Sequence, residues 1–253
     1  MYIRNFLPNF LKKRLWGDRK KYGLRRNQKD PIWEEYNKII TEFYESNQRG
    51  GIGGRVNDLG YDVLNKVNLR NKNILEIGAG DIRHLTYWKD EKPKKYIIAD
   101  VSNEMMQISE KKLIGSSITY EKLLISRNEK IPLDNDSIDI VISFYSLEHI
   151  YPLDDYLQDI SRILKKNGKI IGAIPAEGGI AWGLGRYLTS RRWFKKNTNI
   201  NPDKLICWEH PNFSDFIIKK LDSYYKKIYL SYEPFKVPLI DTNLVLKFIY
   251  SKV

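Results

Sequence analysis

Between residues 73 and 174 short apolar runs alternate with amphipathic stretches, which predicts buried parallel strands joined by helical crossovers. The runs are Asn73 to Ile77, Tyr96 to Ala99, Ile118 to Ile125, Ile138 to Phe144 and Lys169 to Ile174. Helices are expected over 81–90, 102–113 and 152–166, the last ending at Lys165-Lys166-Asn167-Gly168, where late positive charge meets a C-cap glycine. Upstream, Asp30-Pro31 reads as an N-cap and a first-turn proline. Ile32, Trp33, Tyr36, Ile39, Ile40 and Phe43 then keep helical period, which predicts a helix over 31–46. A glycine-rich loop from Arg49 to Arg55 and a second helix over 56–68 follow. The span 175–211 reads as irregular, before a helix over 213–224 and two strands, Lys227 to Tyr232 and Asn243 to Tyr250. No internal repeat is visible.

A chain of 253 residues that is 42% apolar and 13% aromatic is long enough to bury a sizeable core, which excludes a disordered or low-complexity protein. No window holds the roughly 18–20 uninterrupted apolar residues of a membrane-spanning helix. The single cysteine, Cys207, can form neither an internal disulfide nor a zinc cluster, so a reducing, cytoplasmic setting is expected.

Charge changes the picture at the N-terminus. The net charge is +12, and residues 1–30 carry ten Lys or Arg against Asp18 and Asp30, so two thirds of the excess sits in this arm. Phe6, Leu7, Phe10, Leu11 and Leu15 recur at helical spacing beside Trp16, which sets an apolar stripe against a cationic face. Such an arm suits peripheral attachment to an anionic membrane. A stripe packed on the body of the same protein and an arm that binds nucleic acid are the rival readings. Lys12, Lys13 and Arg14 break the apolar run, which argues against a cleaved signal peptide.

The chemistry is carried by Ile74-Leu75-Glu76-Ile77-Gly78-Ala79-Gly80-Asp81, where an apolar strand runs into Gly-x-Gly and a helix, so that the backbone can turn tightly against a ligand. Asp100, followed by Val101, ends the second strand, where a carboxylate can accept both hydroxyls of a ribose. A nicotinamide dinucleotide and S-adenosylmethionine both satisfy this geometry. Arg83 stands where the dinucleotide fingerprint has its third glycine, and Glu76 and Asp81 would lie beside a pyrophosphate. Like charges repel there, whereas a sulfonium and an ammonium are attracted. S-adenosylmethionine is therefore the expected cofactor.

With these residues the sequence resembles the class I S-adenosylmethionine-dependent methyltransferases over about 70–175. Leu75 to Gly80 resembles the first motif of that family and Asp100 its ribose-binding acid. Ile131 to Val141, Ser146 to Ile150 and Ile163 to Ile170 resemble the segments before and after its fourth strand and before its fifth. The resemblance implies a Rossmann-like α/β fold with a seven-stranded, mostly parallel sheet and an antiparallel last strand, here with a helical N-terminal extension. Many relatives hold the adenine with an acidic residue where this chain has Arg127, so Ser126, Asn128 and backbone groups near Arg127 are the expected substitutes, with Ser143 also near the cofactor.

Methyl transfer to a hydroxyl needs alignment and a base. His149 and Glu148, after the fourth strand, are the first candidates; His84 and His210 are weaker ones. Some relatives with a Glu-His pair here use an upstream glutamate to hold a metal. Tyr145 takes that place, so no metal is expected. The Asp-Pro-Pro-aromatic motif of base methyltransferases is absent after strand four, which reads Ser143-Phe144-Tyr145-Ser146. Residues 175–211 bring Trp182, Tyr187, Trp193 and Trp208 together with Arg186, Arg191 and Arg192, a composition suited to a sugar, phosphate or lipid headgroup. Trp208 to Phe213 and Val237 to Leu244 resemble bacterial methyltransferases of surface-polysaccharide synthesis. The expected organisation is an arm over 1–30, a helical cap over 31–70 and a cofactor domain over 71–253, with 175–211 on the acceptor side. The expected activity is O-methylation of a glycan, sugar-phosphate or lipid-linked saccharide. An RNA or protein methyltransferase, a silent cofactor-binding fold and a nicotinamide-dependent reductase are the alternatives.

Overall fold

A computed structural model describes residues 2–43, 51–88, 91–126 and 129–253. Seven strands, β1 (Asn73–Ile77), β2 (Lys95–Asp100), β3 (Tyr120–Leu124), β4 (Ile138–Phe144), β5 (Leu164–Pro175), β6 (Lys226–Glu233) and β7 (Val245–Ser251), form one sheet in the order β3-β2-β1-β4-β5-β7-β6. Strand β7 runs antiparallel to β5 and β6, and the pairs among β1 to β5 are parallel. This is the Rossmann-like fold with an antiparallel last strand.

Parallel strands are buried on both faces, which is why they read as near-continuous apolar runs. On one face Leu75, Ile97, Val141 and Ile170 pack against helices α6 (Leu153–Ile163) and α10 (Ser214–Tyr224), through Leu157, Ile160, Ile163, Ile217 and Leu221. On the other, Ile74, Tyr96, Ile98, Ile142 and Ile171 pack with Leu64, Leu69, Trp88 and Leu113, the last on helix α5 (Asn103–Leu113).

Several expectations change. The glycine-rich stretch is helical: α4 covers Gly51–Tyr61, and Val56 and Leu59 pack on the sheet core. That burial outweighs the poor helix propensity of its glycines. Arg49 and Gly50 lie outside the described residues, as do 44–46 at the end of the helix expected over 31–46. That helix is α3 (Ile32–Phe43). Of the helix expected over 81–90, residues 89 and 90 lie outside the described residues, and 81–88 hold a 3₁₀ turn, Arg83–Tyr87, which follows Ile82 in a left-handed conformation (φ 47°). Helix α6 stops at Ile163, and Lys165 to Gly168 belongs to β5, where Lys165 Nζ meets Asp139 Oδ2 at 2.9 Å. Residues 175–211 are mostly helical, as α7 (Ile180–Leu188), α8 (Ser190–Asn197) and α9 (Pro202–Glu209). They are short, so the apolar period is not sustained. Helix α9 is capped by Asn201, whose Oδ1 accepts from the N–H groups of Asp203 and Lys204, with Pro202 in its first turn.

The arm packs on the body. Its helices α1 (Asn9–Trp16) and α2 (Arg19–Tyr22) follow a 3₁₀ turn, Ile3–Asn5. Leu15 and Trp16 are buried, and Trp16 lies against α7 and α9 through Gly183 and Cys207. Leu7 and Leu11 are half-buried, whereas Phe6 and Phe10 are exposed, so only part of the expected stripe faces inward. Trp33 of α3 stacks on Trp208 of α9, which joins α3 to the acceptor-side helices.

Candidate active site

The register of the sheet assembles the first half of the site. Ile77 pairs with Ala99, so Gly78 and Asp100 emerge side by side at the carboxyl edge, and the Gly78 N–H donates to the Ala99 carbonyl at 2.8 Å. Gly78 and Gly80 have φ of 66° and 59°, a region that side chains with a Cβ resist. A Cβ at Gly78 would also come within 2.8 Å of the Ser146 Cβ. The turn is tied down from both sides: Ser109 Oγ donates to the Gly80 carbonyl at 2.6 Å, and Ser146 Oγ to the Ile77 carbonyl at 3.1 Å. Ser143, fully buried, supports Ser146 through an Oγ–Oγ hydrogen bond of 2.6 Å. Asp100 Oδ1 accepts from the Ser102 N–H at 2.9 Å, which fixes its carboxylate at the strand end beside the exposed Val101.

Ala79 and Asp81 are buried in the turn, and Ser126 is exposed just past β3. Arg127 and Asn128 lie outside the described residues. Glu76 stands apart from the edge. It is 1% exposed, its carboxylate takes the Tyr96 hydroxyl, and His84 Nε2 lies 3.0 Å from its Oε2. Glu76 and His84 thus form a buried polar brace under the turn. Above it, Arg83 makes two bonds to Asp58 of α4, at 3.1 and 2.8 Å, and the Tyr145 hydroxyl donates to the Asn57 carbonyl at 2.6 Å. Helix α4 is clamped beside the niche. Carboxylates at Asp81 and Asp100 around a tight glycine turn suit a cationic nucleoside, so the residues present fit S-adenosylmethionine.

The second half of the site follows β4 and β5. Glu148 and His149 lie on a 3₁₀ turn, Leu147–His149, held by Asn212 Nδ2, which donates to the carbonyls of Leu147 and Ile150 at 3.1 and 2.5 Å. His149 Nδ1 bonds the Glu209 carbonyl, and its Nε2 stands 3.9 Å from Glu148 Oε1. His210 lies edge-on to His149, with ring centroids 4.6 Å apart. Glu177, just past β5 and fully buried, takes Arg186 of α7 and the Trp182 Nε1–H at 2.9 Å, with His210 Nδ1 at 3.2 Å. The sequence singled out Glu148, His149 and His210 but missed Glu177. Glu177 follows the fifth strand as Glu148 follows the fourth, the one signal that could have found it.

Four atoms of this cluster, Glu148 Oε2, Glu177 Oε1, Arg186 Nη1 and His210 Nδ1, are buried with no hydrogen-bond partner among the described residues. Each such atom costs about 1–3 kcal/mol, and native structures keep few of them. Burial pushes the Glu148 carboxyl up to about 8. It pulls the Arg186 guanidinium down to about 9, with Arg19 adding to the shift. Burial, and next the charge of Arg186, hold the His210 imidazole well below its usual range. A carboxyl that titrates near 8 beside an imidazole is suited to proton transfer near neutrality.

The arm closes this side. Arg19 donates to the Pro211 and His210 carbonyls at 2.6 and 2.7 Å and lies 3.7 Å over the Phe213 ring. Arg26 bonds the Glu209 carboxylate at 3.3 Å.

Residues 75–172 match the family model described as a methyltransferase domain. This stretch is a methyltransferase domain. The sheet around it has the class I methyltransferase fold. The chain is 24% identical over 152 residues, 60% of its length, to the mitochondrial arginine-hydroxylase NDUFAF5 of Danio rerio, and covers 43% of that protein. It is 29% identical over 76 residues to the ubiquinone/menaquinone biosynthesis C-methyltransferase UbiE of Vibrio vulnificus, which is 30% of this chain and 29% of that one. The chain thus spans less than half the length of these curated relatives. Among solved structures, the N-methyltransferase NodS of Bradyrhizobium japonicum, in complex with S-adenosyl-L-homocysteine, aligns with a TM-score of 0.57 at 12% identity, over 88% of this chain and 99% of its own. The S-adenosylmethionine dependent methyltransferase of Mesorhizobium loti aligns with a TM-score of 0.54 at 14% identity, over 78% of this chain and 100% of its own. At such identities the likeness is one of fold. Among the described residues no group of three or more His, Cys, Asp or Glu is placed to hold a metal ion.

Proposed function

We propose that this chain methylates a hydroxyl oxygen of a polyhydroxylated acceptor, a glycan, sugar-phosphate or lipid-linked saccharide. One observation carries the choice of acceptor: the unpartnered buried atoms after β4 and β5 include both a donor, Arg186 Nη1, and carboxyl oxygens of Glu148 and Glu177. A sugar hydroxyl donates and accepts at once, so it can satisfy both kinds. A simple anion would meet Glu177, and a simple cation would meet Arg186. Trp182, which donates to Glu177, adds an apolar ring face of the sort sugars pack on.

Gly78 to Gly80, with Ala79 in the turn, would receive the methionine part of the cofactor. Asp100 would grip the ribose hydroxyls, Asp81 would face the positive end, and Val101, Ser126 and the following segment would flank the adenine. Ser143 would act through Ser146. When bound, the cofactor supplies an electrophilic methyl group on a positively charged sulfur. The protein's part is alignment and proton removal. Donation from Nδ1 to the Glu209 carbonyl leaves the proton-accepting lone pair of His149 on Nε2, on the Glu148 side. His149 Nε2 takes the hydroxyl proton as the oxygen attacks, and the resulting imidazolium keeps it, with the Glu148 carboxyl 3.9 Å away.

The test is a mass-resolved screen of isotope-labelled methyl incorporation from S-adenosylmethionine into glycan, lipid and RNA fractions, using the full chain. Label in glycan or lipid-linked saccharide, with the mass of a methyl group, is expected. Label only in RNA or protein, or gain of an oxygen in place of a methyl group, would overturn the reading.

A further inference from the structure

We infer that the arm presents a docking face for an anionic lipid surface, with Ile3, Phe6 and Phe10 as the inserting side chains. They are 52%, 67% and 61% exposed, among the largest exposures of apolar side chains in the protein. Their exposure is not that of a loose tail. The Ile3 N–H donates to Asp241 Oδ2 at 3.0 Å, Arg4 binds Asp215 and lies 4.4 Å over the Phe213 ring, and Trp16 is 2% exposed. The fold therefore fixes where these rings point. The 3₁₀ turn that carries Ile3 superimposes residues three apart, which sets Ile3 and Phe6 on one side.

The apolar stripe of the arm is divided between two tasks. Leu15 and Trp16 are buried and seat α1, and Leu7 and Leu11 are half-buried, whereas Phe6 and Phe10 are exposed. Helix α7, which packs against α1, also carries exposed apolar side chains, Leu184 and Leu188, at 47% and 52%. Beyond the Lys13–Asp18 pair at 2.8 Å, the exposed charges of α1 and α2 are cationic: Arg14, Lys20 and Lys21. Rings and aliphatic side chains together with Lys and Arg match the acyl boundary and headgroups of an anionic leaflet. Nucleic acid would use the charge and the rings but gives no partner to Ile3, Leu184 and Leu188. No helix among the described residues is long and apolar enough to cross a bilayer, so the contact is peripheral. The arm also holds the acceptor side through Arg19 and the carbonyls of His210 and Pro211, so docking would bring that cluster to the lipid surface.

The experiment is flotation of the full chain with phosphatidylcholine vesicles, with and without about a third phosphatidylglycerol, a content chosen to give a strongly negative surface. Flotation with the anionic vesicles only, falling as salt rises, is expected. Phe6→Glu with Phe10→Glu should cut the bound fraction at least roughly tenfold, since both the inserted area and the sign of charge change. Lys20→Glu with Lys21→Glu should weaken flotation without altering the apolar side chains. Unchanged S-adenosylmethionine titrations would show that both variants are folded. Failure of the natural chain to float, undiminished flotation of the phenylalanine variant, retention on RNA without flotation, or a dimer lost in that variant would each overturn the inference.

Discussion

At the scale of single residues the site depends on what burial does to charge. Burial raises the Glu148 carboxyl to about 8 in the folded chain, against an ordinary glutamate value of 4.5. The folded state therefore holds one more proton than the unfolded state between these values, and its stability falls as pH rises through that window. Glu148→Gln removes this dependence. Its melting temperature should exceed that of the natural chain at pH 8.5, with the difference shrinking toward pH 5; a difference independent of pH would show that Glu148 is not held protonated. His149→Ala addresses the chemistry. It should leave cofactor affinity intact and reduce turnover on the acceptor found in the labelling screen by about 100-fold or more, the scale of a lost general base. Near-normal turnover would assign His149 to packing against His210.

At the scale of elements, two joints hold the site together. The first is the turn after β1. Gly78→Ala forces a left-handed alanine, which costs about 1–2 kcal/mol, and drives its Cβ toward Ser146. Lower stability by at least that amount, with weaker cofactor binding, is expected in denaturant titrations and calorimetry. The second joint is Trp16, buried against α7 and α9. Trp16→Ala should cost about 3–5 kcal/mol of docking energy, seen first as rapid proteolysis within residues 1–30. The strands that carry these joints were legible because parallel burial leaves unbroken apolar runs, and Gly78 and Asp100 were legible because they punctuate two of them. The glycine-rich start of α4, ahead of the helix expected over 56–68, and helices α7 and α8 were not. Their glycines and short lengths hide the period, and what makes them helical is contact with distant residues, such as Val56 with the sheet and Gly183 with Trp16. Glu76 shows the same limit: its place before the glycines suggested a cofactor ligand, but Tyr96 and His84, distant in sequence, turn it inward.

At the scale of the whole molecule, the two functional halves lie along one edge of one sheet. Gly78 and Asp100 follow β1 and β2, Glu148 and His149 lie on the turn after β4, and Glu177 and Arg186 come after β5. The arm, which carries most of the net charge, is tied to the second half. Methyl transfer needs a cofactor held at the first half to meet an acceptor aligned at the second. Methyl transfer here requires the first half to accept a cationic nucleoside, and calorimetric titration of S-adenosylmethionine into the full chain, beside NADH and the Asp100→Ala variant, tests that directly. One S-adenosylmethionine per chain should bind, NADH more weakly, and Asp100→Ala should lose about 1.5–3 kcal/mol, the worth of hydrogen bonds to a charged group. No binding of S-adenosylmethionine, tighter binding of NADH, or full affinity in the variant would contradict it.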